Sequence, residues 1–192
     1  NSIYAGFGVR LGSILLDFVL LIPIALLTVY LNGLNLSFRY FTPLLSFAFS
    51  FFYSIYLVRR YGGTPGKLLL GIRIIKISGD DVTWKEAILR ELVNFLLMAF
   101  SAIITIFALS KIDPIHYDTL NWMQKETYIG TLVPSLGALS LKISFSWTLS
   151  ELLVLLLNNR KRALHDYIAG TVVVKSLYLT RIREEMHLTD NE

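Results

Sequence analysis

Four apolar stretches, residues 11–31, 40–58, 88–109 and 143–159, dominate this chain of 192 residues. A helix needs about 20 apolar residues to cross a hydrocarbon core of roughly 30 Å. Within lipid, every backbone N–H and C=O must be satisfied inside the segment itself. The stretches therefore predict helices that cross a bilayer, not core helices of a soluble domain. Their charges are few: Asp17 in the first, none in the second, Arg90 and Glu91 near the start of the third. The fourth has Lys142 beside its outer end and Glu151 inside it. It is short for a span and calls for tilt, local thinning or a snorkelling Lys142. Across the chain only 17% of residues are charged, against about 25% in an ordinary soluble domain.

The placement of Lys and Arg predicts the orientation. Arg10, the basic residues of segment 59–87 and those of segment 160–192 put thirteen on one side. Arg39, Lys111, Lys125 and Lys142 stand on the other. The positive-inside rule assigns the richer side to the cytoplasm, and four spans return the chain there. The expectation is a multi-pass protein of the cell (inner, cytoplasmic) membrane with both termini cytoplasmic. The first apolar run lacks a small-residue cleavage pattern, so no cleavable signal peptide is expected. The basic residues flank spans and do not form one face interleaved with aromatics, which argues against nucleic acid as a partner.

Segment 110–142, between the third and fourth spans, is long for a connection. Asp113-Pro114 suits a helix start, and Trp122 and Tyr128 suit the membrane–water boundary. A short helix on the outer surface is one reading. A re-entrant run over 128–141, broken by Gly130, Pro134 and Gly137, is the other.

Segment 59–87 carries local signals. Thr64-Pro65 predicts a helix N-cap followed by Pro at the first helical position, with a short helical turn ending at Gly71. The β-branched run 72–77 predicts a strand, and Thr83-Trp84-Lys85-Glu86 matches a capping box that opens the third span. Residues 166–175 repeat the pattern of 67–76 without a gap. In each, an apolar turn ends at Gly (Gly71 or Gly170), and a β-branched run follows and ends at Lys. Each unit follows a membrane hairpin whose first helix has an Arg at its entrance, Arg10 or Arg90. The fold expected is an all-α membrane protein: a four-helix transmembrane bundle of two like-oriented hairpins related by an approximate two-fold axis along the membrane normal. Short cytoplasmic helices and a small strand pair, 72–76 with 171–175, complete a single domain over 1–192.

Ionisable residues within spans are costly, at about 2.5–3.5 kcal/mol even on a mild scale. Asp17, Asn94 and Glu151 fall at similar depths, with Arg90 near the entrance, and form a candidate polar cluster. Two readings stand for Asp17. It is a buried acid that takes a cation or proton, or it is half of a structural pair with Arg10 or Arg90. His116 with Asp113 and Asp118 lacks metal-ligand spacing, the chain has no cysteine, and no metal site is expected. His165 beside Asp166 suggests an orienting pair. No nucleophile–histidine–acid order, phosphate loop or dinucleotide fingerprint appears, so neither an enzyme nor a cofactor is expected.

The opening Tyr4-Ala5-Gly6-Phe7-Gly8-Val9-Arg10-Leu11 with Asp17, the central Thr64-Pro65-Gly66-Lys67 with Gly71 and Arg90, and the later Leu164-His165-Asp166 with Ala169-Gly170-Thr171 occur in this order. The chain thereby resembles the RDD family of small membrane proteins, named for one Arg and two Asp. The resemblance implies that Arg10, Asp17 and Asp166 are the name-giving residues, and it leaves Glu151 and segment 110–141 outside the family pattern. It also implies two function classes. Bacterial relatives are described as transporters, some linked to sodium–proton exchange, and some eukaryotic relatives are accessory subunits of membrane machinery. Transport of a small solute, cation or proton is the leading expectation, and a non-catalytic accessory or scaffold subunit is the alternative. Four helices are few for a translocation path, so a homo-oligomer or a heteromeric membrane partner is expected within the lipid bilayer.

Overall fold

The structure, a computed structural model, describes residues 3–189, with side chains through Glu184. The extreme ends of the expected 1–192 domain lie outside that range. Four helices are long and apolar enough to cross a membrane. The first is α1 (Phe7–Leu34). The second combines α2 (Leu36–Ser50), a π-helical turn Phe51–Tyr56 and α3 (Leu57–Tyr61). It closes at Gly62, whose φ of 79° is the left-handed conformation that glycine adopts without a Cβ clash. The third is α5 (Trp84–Leu109). At its start the Glu86 carboxylate accepts the Thr83 backbone N–H at 2.8 Å, the return half of the expected capping box.

The fourth span corrects the sequence reading. It begins at Pro134 and ends at Leu157, a helix of 24 residues named α8, where 143–159 was expected. At 1.5 Å per residue it is roughly 36 Å long, so it needs no thinning. Ser135, Gly137, Ser140 and Lys142 dilute the hydropathy of its first turns without breaking the helix. The connecting arm is correspondingly shorter and holds two helices, α6 (Pro114–Thr119) and α7 (Trp122–Leu132). Asp113 caps α6 by accepting the Ile115 N–H at 3.0 Å. Residues 128–141 are therefore not re-entrant: Tyr128–Leu132 completes α7, and Pro134 onward is the span. Arg39 on α2 donates to Glu126 at 2.6 Å and pins the arm to the bundle.

At the opposite end lie α4 (Pro65–Leu69), β1 (Ile72–Lys76), α9 (Leu164–Ala169) and β2 (Thr171–Lys175), in chain positions following the two hairpins. The strands pair antiparallel, with Ile72 opposite Lys175, Ile74 opposite Val173 and Lys76 opposite Thr171. The alignment that sets Gly71 on Gly170 also sets Ile74 on Val173, its own strand partner. A two-fold axis through that pair exchanges β1 and β2, and it is the axis that the internal repeat requires. The helices obey it too: α4 packs on α1, and α9 packs on α5. Past β2, a 3₁₀ turn (Ser176–Tyr178) leads into α10 (Leu179–Thr189).

The sheet forms a layer between the bundle and α10. Toward the bundle, Ile72, Ile74 and Val173 join Ala5, Ile55, Val58, Val82 and Ala87 in one buried cluster. On the other face Ile75, Val172 and Val174 pack with Ile3, Tyr4, Leu179 and Ile182. Burial of β-branched residues on both faces explains why each run is a strand with little alternation. In contrast, none of the most hydrophobic window of α1 is buried within the chain, as expected where the surroundings are lipid.

Candidate functional site

Asp17 sits on α1 where α4 crosses it. Its Oδ1 accepts the Tyr53 hydroxyl at 2.6 Å and the Gly66 N–H at 2.7 Å, and its Oδ2 accepts the Thr64 hydroxyl at 2.5 Å. Every donor is neutral, so the expected pairing with Arg10 or Arg90 does not occur. The cap of α4 is also other than expected. Thr64 holds the N-cap position, but it donates its hydroxyl to Asp17, and the Asp17 carboxylate meets the helix's free N–H at Gly66. That approach depends on glycine. A Cβ at Gly66 would stand 2.3 Å from the Ser13 carbonyl oxygen and 2.8 Å from the Asp17 carboxylate.

The two arginines meet at Asp166 instead. Arg10 donates from Nη1 to Asp166 Oδ2 at 2.9 Å, and Arg90 pairs with Oδ1. Thr171 and the Ala163 N–H complete the set, at 3.3 and 3.0 Å. Arg10 reaches further, to the carbonyl oxygens of Ala5 at 3.1 Å and Lys161 at 2.5 Å. Lys161 has φ of 51°, unusual for a residue with a Cβ, and the guanidinium holds that turn. Arg162 adds bonds to the Asp166 and Thr171 carbonyl oxygens at 2.9 and 3.0 Å. Asp166 is fully buried. Burial alone would push its carboxyl up, but the charges of Arg90, His165 and Arg10 outweigh it and hold the carboxyl well below the usual carboxylate range. One acid thus joins the entrance arginines of both hairpins.

Glu151 on α8 repeats the Asp17 device on the other side. Its Oε1 accepts the backbone N–H of His165 at 2.8 Å, and its Oε2 meets His165 Nδ1. Under the repeat alignment His165 is the counterpart of Gly66, so a span carboxylate meets the same N–H of α4 and of α9. His165 Nε2 lies 3.6 Å from Asp166, which places the ring between two acids.

Of the four residues proposed as one polar cluster, Arg90, Asn94 and Glu151 line a common cavity of about 440 Å³, together with Arg10, Lys67, Glu91, Thr148 and His165. Asp17 is not among its lining residues; the Thr64 side chain borders the cavity and bonds to Asp17 behind it. The cavity is a cleft between α1 and α8, which pack on other helices: α1 on α2 and α4, α8 on α5, α7 and α9. Asn94 bonds to Glu91 at 2.9 Å and to the Trp147 indole at 3.1 Å. Sequence reasoning carried Thr171 only within the family motif, and it missed Glu91, Tyr53 and Arg162 as site residues. The first adjoins Arg90 in the chain, and the last adjoins the 164–166 motif, but neither spacing carries a chemical signature. His116 stands edge-on to Tyr128 with ring centroids 5.0 Å apart, and Asp113 is spent as a cap. Among the described residues no group of three His, Cys, Asp or Glu side chains gathers as a metal set.

A model of the RDD family matches residues 4–170, most of the chain. The chain belongs to the RDD family. Among curated proteins and among solved structures, none matches it. In this RDD protein the residues that resemble the name-giving ones divide into two centres. Arg10 and Asp166 form one ion pair, which Arg90 shares, and Asp17 belongs to a separate, neutral-donor centre. Thr64, Pro65, Gly66 and Lys67 form the helix start that Asp17 holds. Gly71 and Gly170, both with φ of 65°, end α4 and α9 where the strands begin.

Proposed function

We propose that this RDD protein is a transport-type membrane protein that binds a small polar solute in the α1–α8 cleft. The supporting observation is the cleft itself. It lies where α1, α5 and α8 meet the sheet-end helices, and Arg90, Glu91, Asn94, Thr148 and Glu151 border it from the spans and Lys67 from α4. Polar groups inside a span are retained at a cost, which marks them as candidates for solute contact. Transport and binding sites in membrane bundles characteristically sit between helices in this way. The excess of Lys and Arg at the sheet end supports a cytoplasmic position for that end, so the cleft would open toward the inner leaflet. Asp17, held by three neutral donors outside the cleft, fits a positioning role better than an ion site.

The reading is tested with vesicles that contain only this chain. A panel of labelled amino acids, small phosphoesters and phospholipids should include at least one taken up, or moved across the bilayer, above protein-free vesicles. Lys67→Gln should lower that uptake with the fold intact. No uptake of any panel member by folded protein contradicts the proposal.

One observation favours a second reading, an accessory subunit. Ile115, Trp122 and Met123 project from the arm at 82%, 58% and 61% exposure, a set of apolar side chains suited to a partner. Copurification with one stoichiometric membrane partner, and no uptake without it, would support that reading.

A further inference from the structure

We propose that the occupant of the cleft is a phospholipid whose headgroup carries both a phosphate and a primary amine, entering sideways from the bilayer between α1 and α8. The inference rests on the reading of the cleft as the binding site of a transport-type protein, and it makes the polar group bound there a lipid headgroup in place of a soluble solute.

The walls argue for an amphipathic occupant. Leu11 and Ile14 line the cleft from α1, and Leu152 and Leu155 line it from α8. Leu11 and Ile14 are also exposed on the bundle surface, so the apolar walls run out toward lipid. A volume of about 440 Å³ is at the small end of ligand sites. It suits a headgroup, with the acyl chains left along Leu11 and Ile14. A freely soluble ion would gain nothing from such walls.

The polar end argues for two opposite charges. Several charged neighbours are already engaged: Arg10 by Asp166 and two carbonyl oxygens, and Glu151 by His165. Three groups retain capacity. Both bonds of Arg90 leave from Nη1, which keeps Nε and Nη2 for another acceptor. Among the described residues the Lys67 ammonium bonds only the Thr64 hydroxyl, at 3.3 Å. Among the same residues the Glu91 carboxylate accepts only from the Asn94 amide, at 2.9 Å. A phosphodiester placed on Lys67 and Arg90 gains charge-assisted hydrogen bonds. An ammonium beside it meets Glu91, and only an amine with N–H can donate there. A glycerol headgroup offers no cation, and a trimethylammonium offers no donor.

The test uses the full chain in nanodiscs of mixed lipids with identical acyl chains, followed by release into mild detergent and mass analysis of retained lipid. Retention of the ethanolamine lipid about tenfold above the choline and glycerol lipids is expected. Glu91→Gln should remove the preference over choline lipid, and Lys67→Gln should lower retention of all three. Equal retention of the three lipids by wild-type protein overturns the inference, as does a preference for the glycerol lipid. Soluble phosphoethanolamine separates the two proposals. If it displaces the lipid only at far higher concentration, the acyl chains contribute and the inference stands. If it binds while the lipid does not, a soluble solute is the ligand; the lipid inference falls and the transport reading survives.

Discussion

Arg10 donates from Nη1 to Asp166 at 2.9 Å, closing a distance of 156 residues in the chain. Arg90 takes the other oxygen of the same carboxylate, so one fully buried acid clasps the two hairpins. Two buried cations around one anion are tolerated because the Ala5 and Lys161 carbonyl oxygens accept from Arg10 as well, and the Thr171 hydroxyl accepts from Arg90. The arrangement has more value as a register device than as a source of net stability.

Asp166→Asn is expected to destabilise the protein by about 3–5 kcal/mol, because both guanidinium groups lose their buried anion. Thermal unfolding followed by tryptophan fluorescence reads the effect. A change no larger than that of an exposed substitution would mean that the clasp carries little of the fold.

The same residue sets an acid limit. Asp166 has a folded pKa held below that of an unfolded aspartate, near 3.9. Its contribution is therefore fully present above the unfolded value and is lost as pH falls through the lower folded value. The part of stability that Asp166→Asn removes should be constant from pH 8 to about 5 and shrink below about 4. A difference between wild type and variant that instead grows with acidification would contradict the assignment.

Gly66→Ala should cost about 3 kcal/mol or more, since its Cβ would meet the backbone oxygen of Ser13 at 2.3 Å. Gly8→Ala, in α1 with nothing within 4 Å, is the control; it should be neutral or slightly stabilising. Equal melting shifts for the two would show that α4 does not lie closely on α1.

Asp17→Asn should be mild in stability, about 1–2 kcal/mol, because an amide oxygen still accepts from Tyr53 and Gly66. Asp17→Ala should cost more, as three donors lose their acceptor. If uptake is found, Asp17→Asn should retain it. Loss of uptake at unchanged stability would instead assign Asp17 to an ion or proton site.

The spans were legible in the sequence because hydropathy over about 20 residues is a local property. The strands were legible for a related reason: two short β-branched runs, each after a glycine, recur in the same order. Where α8 begins was not, because Ser135, Gly137 and Lys142 lower the hydropathy while the helix continues through them. The partners of the acids were not legible either. Asp17 has Arg10 nearby in its own helix, yet that guanidinium turns to Asp166, a choice made by the packing of the two hairpins. Thr64 fits a local capping pattern, and only the crossing of α4 over α1 brings Asp17 in to take that task.

Whether the α1–α8 cleft is a transport chamber is tested most directly by thiol access at Thr148, which lines it. The chain has no native cysteine, so Thr148→Cys is a clean reporter. A membrane-impermeant maleimide is applied to intact cells and to inverted vesicles, with Asp81→Cys and Met123→Cys marking the sheet end and the arm end. The markers should each react from one side, Asp81→Cys in inverted vesicles and Met123→Cys in cells. Thr148→Cys should react from both sides, as alternating exposure of one chamber requires. Reaction from the sheet side alone, complete there and absent from the other, would contradict transport through the cleft.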